Sequence, residues 1–138
     1  MTERVSIFVE GAPVSFGHFS QVIKYGNAVH VSGQLPIDSE TNKLVSSDPA
    51  EQARSILQHL TASMQATSGQ LSNILSTRLY LIDLKDHGAF DKVSRDFFFF
   101  TPPARTVLQV SALPFGARMM LDAIAELNPM DLKPTGII

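Results

Sequence analysis

Apolar residues recur along this chain in two periods, and the switches between them predict the order of its elements. Val5, Ile7 and Val9 share one face of a first strand over 5–10. Residues 19–24 and 28–32 read as a hairpin around Tyr25-Gly26-Asn27, and Thr41-Asn42 marks a turn in a long connection. Asp48-Pro49-Ala50-Glu51 is a helix start: an acid at the cap, Pro at the first helical position, Glu three residues after the cap. Ala53, Ile56, Leu57, Leu60 and Met64 then follow helical spacing, and Gly69 ends the helix. Over 74–83 the period returns to two, with Leu75, Thr77, Leu79 and Leu81 set against Arg78, Tyr80 and Ile82. Phe90, Val93, Phe97 and Phe98 mark the inner face of a second helix that starts near Asp86. Two last strands fall at 105–110 and 118–127.

The order β-β-β-α-β-α-β-β describes an α+β domain, a mixed sheet with two helices packed on one face. Apolar residues sit on both sheet faces, and two helices cover only one. Self-association is the simple way to cover the other. A chain of 138 residues fits a single domain over 1–138, with a core over about 4–127 and a tail over 128–138. The tail is expected to wrap a neighbouring subunit or to be disordered.

Composition narrows the function. Net charge is −2, with no basic block or aromatic-basic stripe, so nucleic acid is a disfavoured partner. There is no cysteine, which excludes disulfides and thiol catalysis. No apolar run reaches the length of a membrane span, and Met1-Thr2-Glu3-Arg4-Val5 has no signal pattern. The expected location is cytoplasmic. The four histidines lack metal-ligand spacing, so no metal is expected; there is no glycine-rich phosphate loop, and Ser32 lacks a nucleophile-elbow sequence, which disfavours a serine hydrolase.

Candidate chemistry concentrates in Pro102-Pro103-Ala104-Arg105-Thr106-Val107-Leu108. Two prolines stiffen the approach to a strand and hold Arg105 at its mouth. A guanidinium there either clamps a carboxylate through two parallel hydrogen bonds or makes a surface ion pair. Asp122, inside Met119-Met120-Leu121-Asp122-Ala123-Ile124, is the second candidate, because an unpaired carboxylate among apolar residues is costly. Its alternatives are an acid facing solvent or one paired with Arg118.

Together with Gly26-Asn27-Ala28-Val29-His30-Val31-Ser32-Gly33-Gln34-Leu35-Pro36, Leu121-Asp122-Ala123-Ile124-Ala125 and Asp83-Leu84-Lys85-Asp86, the Pro-Ala-Arg segment resembles the RidA family of YjgF-like reactive-intermediate deaminases over about residues 15–127. The resemblance implies a chorismate-mutase-like fold in a homotrimer, with active sites in clefts between subunits. It implies hydrolysis of enamine or imine carboxylates, 2-iminopropanoate-like, to a 2-keto acid and ammonia without a cofactor. Arg105 then matches the carboxylate anchor. Asp122 stands where a water-ordering glutamate is usual, and Ser32 and Gly33 match the pocket lining. They are equally readable as a turn between strands. Asp91 falls where many members have Asn and is read as a solvated helix residue.

Two departures bear on substrate. Phe19 replaces the usual tyrosine and loses its phenol; Val107 replaces a frequent cysteine and keeps its backbone carbonyl. His18, beside Phe19, is either a substitute donor or a surface loop residue. The run Phe97 to Phe100 is read mainly as packing. The expected partner is a small imino, enamino or keto acid. The rivals are a specialised catabolic deaminase of aminomuconate-like compounds on the same fold, and a non-catalytic carboxylate-binding protein.

Overall fold

The element order follows from where the chain can change period, and the structure keeps that order. The structure is a computed structural model that describes residues 2–128. Its strands are β1 (Arg4–Ile7), β2 (Val22–Tyr25), β3 (Ala28–Gln34), β4 (Ile74–Leu81), β5 (Ala104–Gln109) and β6 (Met119–Glu126), and its helices are α1 (Pro49–Ala66) and α2 (His87–Ser94). They form one mixed sheet in the order β1-β2-β3-β6-β4-β5. Only β4 and β5 run parallel, because α2 lies between them in sequence and carries the crossover. Gly26, with φ of 60°, makes the two-residue turn of the β2–β3 hairpin.

Helix α1 begins as its sequence predicts. Asp48 accepts the Glu51 N–H at 3.0 Å, and Pro49 occupies the first turn. Ala53, Ile56, Leu57, Leu60 and Met64 are fully buried against Val29, Val31, Leu79, Leu81, Met119 and Leu121. At the other end the expected glycine stop is displaced by one residue. Ser68, not Gly69, takes the left-handed conformation, with φ of 66°. Gly69 is small for another reason: a Cβ there would lie 2.6 Å from Leu127 Cδ2.

Three further expectations change. Strand β1 stops at Ile7; Val9 joins the core from beyond the strand, and Val5 is exposed. In β4 the alternation breaks at a register shift between Ile74 and Ser76, so Ile74 is buried and Leu75 faces out. Helix α2 ends at Ser94, and Phe97 and Phe98 reach the core from the turn that follows it. Phe99 and Phe100 are exposed, with ring centroids 4.5 Å apart.

The two sheet faces differ. Both helices pack on the face built by Val29, Val31, Leu79, Leu81, Leu121 and Ala123. The opposite face presents Ile124 and Leu108, both exposed, beside Arg78, Tyr80 and Asp122. The tail from 129 onward lies outside the described residues.

Candidate active site

Arg105 is the second residue of β5, an edge strand that begins directly after the Pro102-Pro103 approach. Its register partner is Thr77, so its side chain lies on the helix-bearing face of the sheet. There α2 meets it with one polar stripe. Arg105 Nη1 donates to Asp91 Oδ1 at 2.9 Å and lies 3.3 Å from His87 Nε2, while Nη2 donates to Ser94 Oγ at 3.2 Å. The guanidinium carbon sits 5.0 Å from the Phe90 ring centroid, within cation–π range. The arginine is therefore held in one orientation, with its side chain 21% exposed. His87 accepts from it when the imidazole proton is on Nδ1.

The reading of Asp91 as a solvated helix residue is corrected by this geometry. Arg105 hydrogen-bonds Asp91 and holds its carboxyl below the usual carboxylate range, against some opposing burial, and Arg95 adds a second cation at 2.8 Å. His87, Asp91 and Ser94 are spaced i, i+4, i+7, which puts them on one side of a helix. That spacing was visible in the sequence. Its target, a strand residue, was not.

Asp122 lies on the other sheet face. Its pairing with Arg118 is not formed; Arg118 instead makes a two-pronged bond to buried Asp86, at 2.9 and 3.1 Å. Asp122 Oδ1 accepts from Arg78 Nε at 3.0 Å, directly across β4, and Oδ2 accepts from Tyr80 Oη at 2.9 Å. Burial, then the bond to Asp122, raises the Tyr80 phenol above its ordinary value, so it stays a donor at neutral pH. On this face Arg78, Thr106, Asp122 and Ile124 line a shallow groove at the start of β5, which Arg105 borders along the strand while its guanidinium is held on the other face by α2.

Phe19, Ser32 and Gly33 gather elsewhere, in a cleft with Phe16, Phe115 and His59. Ser32 Oγ donates to Ser20 O at 2.7 Å, which ties β3 to the loop before β2 and leaves the hydroxyl oxygen as an acceptor. Gly33 has no room for a Cβ, which would meet Met120 Sδ at 2.5 Å. Phe19 packs edge-on against Phe16, and Phe16 edge-on against Phe115, at centroid distances of 5.3 and 5.4 Å. His18 is exposed and does not line this cleft. Val107 turns its side chain onto the core beside Arg105's strand partners and lines neither surface. One chain thus brings Phe19, Ser32 and Gly33 together in one cleft, and sets Arg105 and Asp122 at the start of β5 with their side chains on opposite sheet faces. Phe16, Phe115, Arg78 and Tyr80 were not singled out as site residues from the sequence, because each acquires its meaning from a neighbour distant along the chain.

Known proteins resemble this chain in sequence and in fold. The family model described as Endoribonuclease L-PSP matches residues 9–127. A RutC family protein of Pyrococcus abyssi is 36% identical over 119 residues, covering 86% of this chain and 94% of its own. A protein of Rattus norvegicus named 2-iminobutanoate/2-iminopropanoate deaminase is 32% identical over 126 residues, covering 91% and 92%. Among solved structures, RidA from the Antarctic bacterium Psychrobacter superposes with a TM-score of 0.85 at 32% identity, covering 89% of this chain and 99% of that one. With a family model spanning most of its length and relatives above 30% identity at nearly full coverage, the chain belongs to the Endoribonuclease L-PSP family, that of the RutC, YjgF and RidA proteins.

Proposed function

We propose that the protein is a deaminase of 2-imino carboxylates, working as a homotrimer in which each site joins the Arg105–Asp122 groove of one subunit to the Phe19–Ser32–Gly33 cleft of the next. The carrying observation is the fixed arginine. Arg105 is oriented by Asp91, Ser94 and Phe90 at a strand mouth, where an anchored guanidinium is suited to a planar carboxylate. The name of the rat relative supports the same chemistry. The formal net charge of −2 speaks against RNA as substrate, although the family description refers to an endoribonuclease.

The reaction needs few parts. An enamine takes a proton at carbon, gives one up from nitrogen and becomes the imine. Water attacks the imine carbon of R–C(=NH)–COO⁻, forming the new C–O bond. The C–N bond then breaks, both water protons end on nitrogen, and a 2-keto acid and ammonia leave. Arg105 holds the carboxylate. Asp122, fixed by Arg78 and Tyr80, accepts from the attacking water and passes its proton on. No oxidant, metal or cofactor is required by this balance.

The test is ammonia release from 2-aminoacrylate generated in situ. Wild type turns it over. Arg105→Ala loses about 2–4 kcal/mol of transition-state binding, and Arg105→Lys most of that, because lysine lacks the planar fork. Near wild-type turnover by a folded, assembled Arg105→Ala protein overturns the assignment. The rival reading is a non-catalytic carboxylate-binding protein that keeps the Arg105 clamp without the hydrolysis. Keto-acid binding without any ammonia release would select that rival.

A further inference from the structure

The cleft beside Ser32 and Gly33 has a side-chain pocket whose lining specifies its occupant. Three rings stand at its mouth. Phe16 meets Phe19 and Phe115 edge-on, at interplanar angles of 78° and 88°, and all three are exposed. Phe115 holds this position at the cost of a left-handed backbone, with φ of 62°. A bulky side chain at positive φ is uncommon, so the surrounding turn enforces it. Buried Leu35 and Ile37 continue the apolar wall inward, and exposed Val14 lines the cleft as well.

The inner lining is different. Ser63, on α1, is 1% exposed, lines the same cleft, and its Oγ has no hydrogen-bond partner among the described residues. A buried hydroxyl without a partner is destabilising, and a ligand atom in the cleft would relieve that cost. Its neighbour His59 is already fixed: Nε2 donates to Ile37 O at 2.8 Å and so carries the ring proton. His59 therefore keeps only its Nδ1 lone pair to offer, and Ser63 is the buried hydroxyl of the lining whose hydrogen bonds are unfilled among the described residues.

We infer that this cleft takes the side chain of a 2-imino acid bearing an aromatic ring, with Ser63 hydrogen-bonding a polar substituent at the ring's far end. The inference rests on the deaminase reading for placing the reacting carbon at Ser32 and Gly33. Edge-on faces of Phe16, Phe19 and Phe115 suit a fourth ring, which packs offset or edge-on against them. A hydroxyphenyl group adds an O–H that both donates to and accepts from Ser63.

The experiment measures binding and turnover separately on the full chain. Calorimetry compares pyruvate, phenylpyruvate and 4-hydroxyphenylpyruvate. Phenylpyruvate is expected to bind at least about tenfold more tightly than pyruvate, by burial of its ring. The hydroxyl is expected to add about threefold or more, as one net hydrogen bond. Phe115→Ala should shrink the phenylpyruvate-to-pyruvate ratio. Ser63→Ala should remove the hydroxyl increment, keep the ring preference, and leave the melting temperature unchanged or higher. Pyruvate binding as tightly as phenylpyruvate overturns the inference; so does a hydroxyl increment that survives Ser63→Ala. The same three side chains are then offered as imines, formed in situ from alanine, phenylalanine and tyrosine by an amino-acid oxidase. Ammonia released from the alanine imine without any ring preference sinks the pocket and leaves the deaminase standing. Ring preference in binding without ammonia from any imine sinks the deaminase and leaves the pocket standing.

Discussion

Asp91 alters what Arg105 is. An arginine free at a strand mouth offers a full positive charge to a carboxylate, whereas here Nη1 is already bonded to Asp91 at 2.9 Å. A substrate carboxylate must share the guanidinium or displace the acid. Asp91→Asn keeps a hydrogen-bond acceptor and removes the competing charge, so carboxylate affinity should rise several-fold, read as Kd for pyruvate by calorimetry. The same substitution has a stability signature with a defined sign. Arg105 lowers the Asp91 carboxyl in the folded state, so the pair stabilises the fold above the ordinary aspartate range and loses that contribution as pH falls through the lowered value. Melting temperature should therefore be lower in Asp91→Asn at pH 7, and the gap to wild type should close below about pH 4. A gap that stays constant down to pH 3 would mean the pair has no charge-dependent part. The half-open setting of Asp91, 35% exposed, keeps the effect small.

Elements were legible where one local rule decides, and illegible where two meet. The cap at Asp48 and the buried stripe of α1 follow from spacing alone. The end of α1 does not, because glycine serves two purposes in proteins, left-handed backbone and close approach, and a sequence shows only the glycine. Ser68 takes the left-handed position, and Gly69 gives room to Leu127, a contact across nearly sixty residues. Ser68→Gly should be neutral or stabilising by up to about 1 kcal/mol. Gly69→Ala should cost about 1–3 kcal/mol, because Leu127 and Met64 must both give way. Urea unfolding of the two variants separates the roles, and equal losses in both would refute them. Strand β4 repeats the lesson: its alternation predicts the buried face from Thr77 to Leu81, but the bulge at Ile74–Ser76 arises from pairing with β6 and sends Leu75 outward. Likewise Arg105 was legible as a candidate from its prolines, while its ring of partners on α2 depends on how a helix docks on a strand.

At the scale of the molecule, the sheet gives two faces and the helices cover one. Ile124 at 41% and Leu108 at 43% exposure lie on the other, next to a carboxylate that two neighbours already hold. The candidate residues divide as the surface does, into a groove at β5 and a cleft at β3, with no described contact joining them. The proposed trimer would resolve both problems, a ring of subunits covering the apolar face and setting one subunit's groove against the next one's cleft. Light scattering with size exclusion should give about three times the 15.1 kDa chain mass, and a stable monomer at micromolar concentration would end this arrangement. Composition of the site can be tested apart from mass. Arg105→Ala disables the groove. Phe19→Asp disables the cleft by placing a negative charge against the substrate carboxylate. Each homo-oligomer should be inactive. Unfolded together and refolded at equal concentration, the two variants should recover activity at about one quarter of the sites, those pairing an intact groove from one chain with an intact cleft from another. Sites formed within a single chain would recover nothing, since every chain in the mixture carries one lesion.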